Sequence, residues 1–196
     1  MDRQGGNMDK FDFDSYCGIY CGACDIMMAC KTGGRYRLAA FWSESLVRTL
    51  HRKLGIFDEK RIYEVKCNGC KSGTLFTNCA VCRIRECAID RRVEHCIECP
   101  DYPCAMIVEG MKMKTLLPHL KENHGNMETV RNTGMEAWLS EQKKRWACPE
   151  CGTAFSWYTG RCRSCGLSLK KKAYSFTFLQ SIILKLAIRV FMKSRK

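Results

Sequence analysis

The chain has 196 residues, of which 46% are hydrophobic and 27% charged, giving room for one modest globular domain with an appendage. Sixteen cysteines leave two explanations, disulfides in an oxidising compartment or metal thiolates in a reducing one. The first is set aside: residues 1–15 are polar and acidic with no apolar signal core, and cysteines two residues apart rarely staple distant segments, so a cytoplasmic metalloprotein is expected. The formal net charge of +13 lies mainly in the tail, with +9 from Cys148 onward and +4 before it, which points to an anionic partner such as nucleic acid or a membrane surface.

In chain order, residues 1–10 read as a disordered lead and 11–125 as a cysteine-rich metal-binding domain. Cys17, Cys21 and Cys24 follow C-x3-C-x2-C, with Cys30 beyond. Radical enzymes use that spacing for a three-cysteine 4Fe–4S cluster, but they need an alternating β/α barrel that this sequence lacks. Over 35–54 the spacing of Leu38, Phe41, Trp42, Leu46, Val47, Leu50 and Leu54 predicts an amphipathic helix that walls the core, with His51 satisfied or exposed. Cys67 to Cys104 then holds eight cysteines in thirty-eight residues. Cys67 and Cys70 form a knuckle; Cys79, Cys82 and Cys87 follow C-x2-C-x4-C, and Cys96, Cys99 and Cys104 repeat it. A segment this short has too few large apolar residues for its own core, so metal–sulfur bonds are expected to replace packing. His95 is placed next to Cys96, and a surface role is expected of it.

Pro100 and Pro103 rigidify the turn into Cys104. A helix is predicted from Ala105 and interrupted at Pro118. A helical connector over 126–147 follows, capped by Asn126 and divided at Gly134, and Met106, Met111, Met113 and Met127 fill core. Residues 148–169 predict a zinc ribbon: Cys148, Cys151, Cys162 and Cys165 are spaced C-x2-C-x10-C-x2-C with glycine after each knuckle, and Phe155, Trp157 and Tyr158 supply a β-hairpin between them. Arg161, Arg163 and the aromatic residues are the candidate contact surface. Residues 170–196 form a basic amphipathic helix. Lys170, Lys171, Lys172, Lys185 and Arg189 are assigned to an anionic partner. The apolar run 176–192 is too short and too charged for a clean membrane span, and either lies on an anionic leaflet or docks on the domain, on a protein partner or on a second copy. The fold class expected is α+β, small and metal-stapled, with helices and knuckle loops, a β-hairpin ribbon and a C-terminal amphipathic helix.

The ordered series CGIYCGAC, CNGC, CRIRECA and CIECPDYPC resembles a small cysteine-rich prokaryotic family catalogued as domain of unknown function 3795, over residues 16–106. The resemblance marks Cys17, Cys21, Cys24, Cys67, Cys70, Cys82, Cys87, Cys96, Cys99 and Cys104 as family cysteines, with Cys30 and Cys79 less regular. It implies a metal-bound domain in a prokaryotic cytoplasm and no particular activity.

Twelve thiols before the ribbon are enough for three four-thiolate sites. Paired C-x2-C knuckles favour several zinc ions; a 4Fe–4S cluster in the N-terminal domain is the alternative, with a redox or metal-handling role. No hydrolase, phosphate-loop or triad motif is visible and no small-molecule substrate is evident. Closed four-thiolate sites activate water poorly, so a non-catalytic zinc adaptor for an anionic partner is the functional expectation.

Overall fold

The computed structural model describes residues 11–41 and 66–193. The lead, and the part of the predicted 35–54 helix from Trp42 on, with His51, lie outside the described residues. The elements in order are α1 (Asp25–Thr32), α2 (Arg37–Phe41), α3 (Thr77–Ala80), α4 (Arg83–Asp90), α5 (Ala105–Lys112), α6 (Asn123–Thr133), α7 (Met135–Arg145) and α8 (Phe178–Lys193), with short 3-10 turns between several of them.

α1 begins where extended Cys24 releases the chain into helical geometry, with Asp25 facing the positive end of the helix dipole. It stops at Gly33, whose φ of 64° is left-handed and lets its N–H reach Ala29 O. Its inner face buries Ile26, Met27 and Met28. Gly134, at φ 84°, divides α6 from α7 as the sequence predicts, and the two helices pack on each other. Asn126 does not cap a helix: α6 already starts at Asn123, and the buried Asn126 amide instead donates to Gly18 O at 2.8 Å. Met127 is fully buried, whereas Met113 is exposed, because the chain leaves α5 for a 3-10 turn at that point.

The core is continuous from the first knuckle loop to the C-terminal helix. Tyr20 meets Trp138 edge-on at 6.0 Å, and Trp146 meets Phe155 at 5.5 Å. Residues 12–16 form a strap that joins three knuckle turns: Asp12 N–H donates to Asn68 O, Phe13 O accepts from Cys21 N–H and Tyr16 O accepts from Cys96 N–H, each at 2.7 Å. The approach is so close at Gly69 that an added Cβ would lie 2.1 Å from Asp12 O. Only glycine fits there, at φ +124°.

His119 lies at the heart of this packing, stacked on Trp157 at 3.9 Å, with Nδ1 2.8 Å from Tyr158 Oη. Burial pushes its pKa down to about 3 from the ordinary 6.5, so the folded chain holds it neutral. Between those values the unfolded chain binds the extra proton. This contribution to stability is complete above about pH 6.5 and is lost as pH falls towards the folded pKa, by up to about 1.4 kcal/mol per pH unit. Urea unfolding of the wild type and of His119→Gln, compared between about pH 7 and about pH 5, should show a shallower acid loss in the variant. Equal slopes would exclude this source of acid sensitivity.

Candidate metal centres

The tail-side centre is built from two copies of one local device. Cys148 N–H donates to Thr153 O and Gly152 N–H returns to Cys148 O; in the second copy Cys162 N–H donates to Leu167 O and Gly166 N–H returns to Cys162 O. Gly152 and Gly166 have φ of 71° and 75°, the left-handed turn each loop requires. The sulfurs of Cys148, Cys151, Cys162 and Cys165 all lie within 4.8 Å of one another, with Cys148–Cys165 at 3.6 Å and Cys151–Cys162 at 3.5 Å. A single ion with bonds of about 2.3 Å to four thiolates needs tetrahedron edges of about 3.8 Å, so the donor set fits one ion. The Thr153 hydroxyl and backbone amide pull Cys151 down to about 6, ready to bind as thiolate.

The predicted β-hairpin is not formed. Among the described residues only isolated antiparallel bridges occur here, Ala147 with Ala154 and Arg161 with Ser168. Each closes a knuckle on itself, and the residues between are claimed by the core. Phe155, Trp157 and Tyr158 are buried; Trp157 N–H donates to Ala23 O, and its carbonyl accepts from Tyr174 N–H. They are therefore not a contact surface. Arg163 is engaged as well, with its guanidinium 3.9 Å over the Tyr36 ring and a hydrogen bond to Arg35 O. Arg161, Lys170, Lys171 and Lys172 are exposed. The side chains of Lys185 and Arg189 lie outside the described ones.

The N-terminal thiols fall into three overlapping neighbourhoods, with Cys21 also feeling Cys70 and Cys96 also feeling Cys17. Cys67 is pulled down to about 6, chiefly by a hydrogen bond with Cys79. Cys24 is pushed up to about 12 by burial, then by Cys67, and Cys21 well above its ordinary value by burial, then by Cys24. In the second neighbourhood, burial raises Cys17, which also feels Cys82; it pushes Cys70 up to about 12, with Cys17 and Cys82 adding to the shift. The third holds Cys87, Cys96, Cys99 and Cys104, which line one pocket; Cys96 is pushed up to about 12 by burial and then by other thiols, these among them. Cys30 stands apart, 3.9 Å from Asn68 Oδ1. Burial of so many sulfurs disfavours their charged form, and a cation bound among them is what would compensate. Among the described residues, the tail-side four are the set with three or more ligand atoms as close as 4.8 Å.

His95 is not on the surface. It is buried, with Nε2 2.8 Å from Asp14 Oδ2 and 3.0 Å from Lys71 Nζ, and Nδ1 3.1 Å from Glu98 Oε1. Lys71 Nζ lies 2.6 Å from Asp14. Burial works against the Asp14 carboxylate, but hydrogen bonds from His95, Asp12 and Lys71 outweigh it and hold the carboxyl well below its usual range. Burial and the neighbouring Asp14 push Asp12 up to about 7. This network ties the strap to the turns carrying Cys70 and Cys96. The sequence gives no sign of it, because Asp14 and His95 are 81 residues apart.

Residues 13–109 match the family model described as Protein of unknown function (DUF3795), which supports the family resemblance carried by the cysteine series. No curated protein and no solved structure matches the chain. Among the described residues no helix is long and apolar enough to cross a membrane.

Proposed function

We propose that the chain is a non-catalytic zinc-binding adaptor whose C-terminal helix lies on an anionic membrane surface. The four-sulfur cluster of Cys148, Cys151, Cys162 and Cys165 carries the reading: a single ion held by four thiolates is closed, with no position for substrate, and its work is to hold the chain that leads into the tail. Zinc suits four thiolates at this spacing and has no competing geometric preference.

The surface reading rests on what that scaffold presents. Phe176 and Leu184 are buried, and Gln180 Nε2 donates to Thr115 O at 2.6 Å, so one side of α8 is fixed to the body. The other side exposes Phe178 (83%), Leu179 (64%), Ile182, Ile183 and Leu186. Exposed Lys170, Lys171 and Lys172 precede the helix. An apolar strip beside a cationic cluster matches an acyl boundary beside anionic headgroups, whereas a nucleic acid would use the lysines and leave the strip wet.

Vesicles containing phosphatidylserine should float the full chain. The quadruple variant Leu179→Gln, Ile182→Gln, Ile183→Gln, Leu186→Gln, altered only at exposed positions, should lose at least about tenfold in bound fraction. Equal flotation of the two proteins, or equal binding to neutral vesicles, would sink the surface reading. Salt-sensitive binding to RNA or DNA without flotation would replace it with the nucleic-acid one.

A further inference from the structure

Of the sixteen cysteines, Cys151 and Cys165 are the two that are exposed, while their partners in the tail-side centre, Cys148 and Cys162, are 3% and 4% exposed. Each exposed sulfur stands against a buried one from the other knuckle: Cys165 Sγ is 3.6 Å from Cys148 Sγ, and Cys151 Sγ is 3.5 Å from Cys162 Sγ. We propose that this centre is a peroxide-sensitive switch, in which oxidation at Cys151 and Cys165 exchanges the zinc ion for two disulfides across the knuckles, Cys151–Cys162 and Cys148–Cys165. The proposal rests on the zinc reading of these four cysteines.

A sulfur that reacts with peroxide and goes on to a disulfide must be a thiolate, must be open to solvent and must have a second sulfur within reach. Zinc supplies the first condition, because a coordinating thiol is deprotonated outright. Position in the turn supplies the second: residues 149–152 and 163–166, which carry Cys151 and Cys165, are exposed throughout. The pairing supplies the third. A disulfide of about 2.05 Å is reached from either pair by closing about 1.5 Å. Beside each moving sulfur stands a glycine, Gly152 or Gly166, where even an added Cβ would meet nothing within 4 Å, so the turns have room to adjust. The other twelve thiols are buried or half-buried, and the same oxidant reaches them more slowly.

The zinc-bound Cys151 thiolate attacks one oxygen of hydrogen peroxide; the O–O bond breaks, hydroxide leaves and the sulfur becomes a sulfenic acid. The Cys162 thiolate then attacks that sulfur, the S–O bond breaks, a second hydroxide leaves and the Cys151–Cys162 bond forms. Two sulfurs are oxidised and one peroxide is reduced. With two of its four ligands gone the ion leaves, and Cys165 and Cys148 repeat the sequence with a second peroxide. A dithiol reductant, itself oxidised to a disulfide, returns the four thiols and the site for zinc. Both new bonds run between the knuckles, so the knuckles stay joined after the ion has gone.

The zinc-loaded full chain, treated with hydrogen peroxide, should release about one zinc from this centre for about two peroxide molecules consumed. Cleavage after Glu150, Arg161 and Arg163 places the four cysteines on separate fragments, so the pairing is read directly by mass. The expected map joins Cys151 to Cys162 and Cys148 to Cys165, leaves the other twelve cysteines open to alkylation after denaturation, and reverts with zinc uptake when a dithiol is added. Links within a knuckle, Cys148–Cys151 or Cys162–Cys165, overturn the proposal, as does oxidation of the N-terminal thiols ahead of these four or retention of the zinc. Protection of the four cysteines from alkylation before peroxide is added reports the zinc reading separately. Its absence removes both readings, whereas protection followed by the wrong links removes this one alone.

Discussion

Stripping the ion from the tail-side cysteines should abolish the cooperative unfolding transition of the whole described core. In small zinc domains the bound ion contributes about 10–16 kcal/mol, as much as or more than the roughly 5–15 kcal/mol that separates an ordinary folded domain from its unfolded chain. Here the knuckles do not stand aside from the apolar interior. Cys148 follows Trp146, and Phe155, Trp157 and Tyr158 lie between the two pairs of sulfurs while packing against His119, Trp146 and Phe176. Releasing the knuckles therefore releases the residues that close the centre. Near-ultraviolet circular dichroism of Trp138, Trp146 and Trp157, followed with a zinc chelator or in Cys148→Ser with Cys162→Ser, should collapse to the unfolded signal. A chelated chain that kept its aromatic signal and its sharp transition would show that packing alone holds the molecule.

Trp157→Ala should cost about 3–5 kcal/mol even with every metal site loaded. The indole is 4% exposed and lies flat on the His119 imidazole, 6° from parallel. Its backbone joins two otherwise separate stretches, donating to Ala23 O at 3.0 Å and accepting from Tyr174 N–H at 2.6 Å, so a cavity here also loosens the seam between the first knuckle loop and the entry to α8. Trp157→Phe keeps an aromatic face and should lose only part of that. Urea midpoints at saturating zinc measure both; a loss below about 1 kcal/mol for the alanine variant would mean that the neighbours close over the gap.

What could be read from the sequence divides along the range of the interaction. The tail-side tetrad is legible because each half is local: two thiols, two residues apart, and a glycine that must turn left-handed. The break at Gly134 is legible for the same reason. The fate of Phe155, Trp157 and Tyr158 is not, since an aromatic run between two knuckles suits a hairpin equally well until distant His119 and Phe176 are in place. The repeat of Cys79, Cys82, Cys87 by Cys96, Cys99, Cys104 suggests two equal units, yet the chain distributes the first set among three neighbourhoods: Cys79 meets Cys67, Cys82 joins Cys17 and Cys70, and Cys87 lines the pocket of the second set. Spacing shows that thiols come in pairs; tertiary folding decides which pairs share a centre. His95 is the clearest case, because its position beside Cys96 looks peripheral until Asp14 arrives from the far end of the chain.

The strap formed by residues 12–16 sets an order of events during synthesis. It leaves the ribosome well before Asn68 and Cys96, to whose backbones it bonds, so Cys17, Cys21 and Cys24 spend an interval as unprotected sulfhydryls while the chain as far as Cys96, 72 residues beyond Cys24, is made. The first thiols translated wait for partners made more than forty residues later, and the nascent chain is open to oxidation in that window.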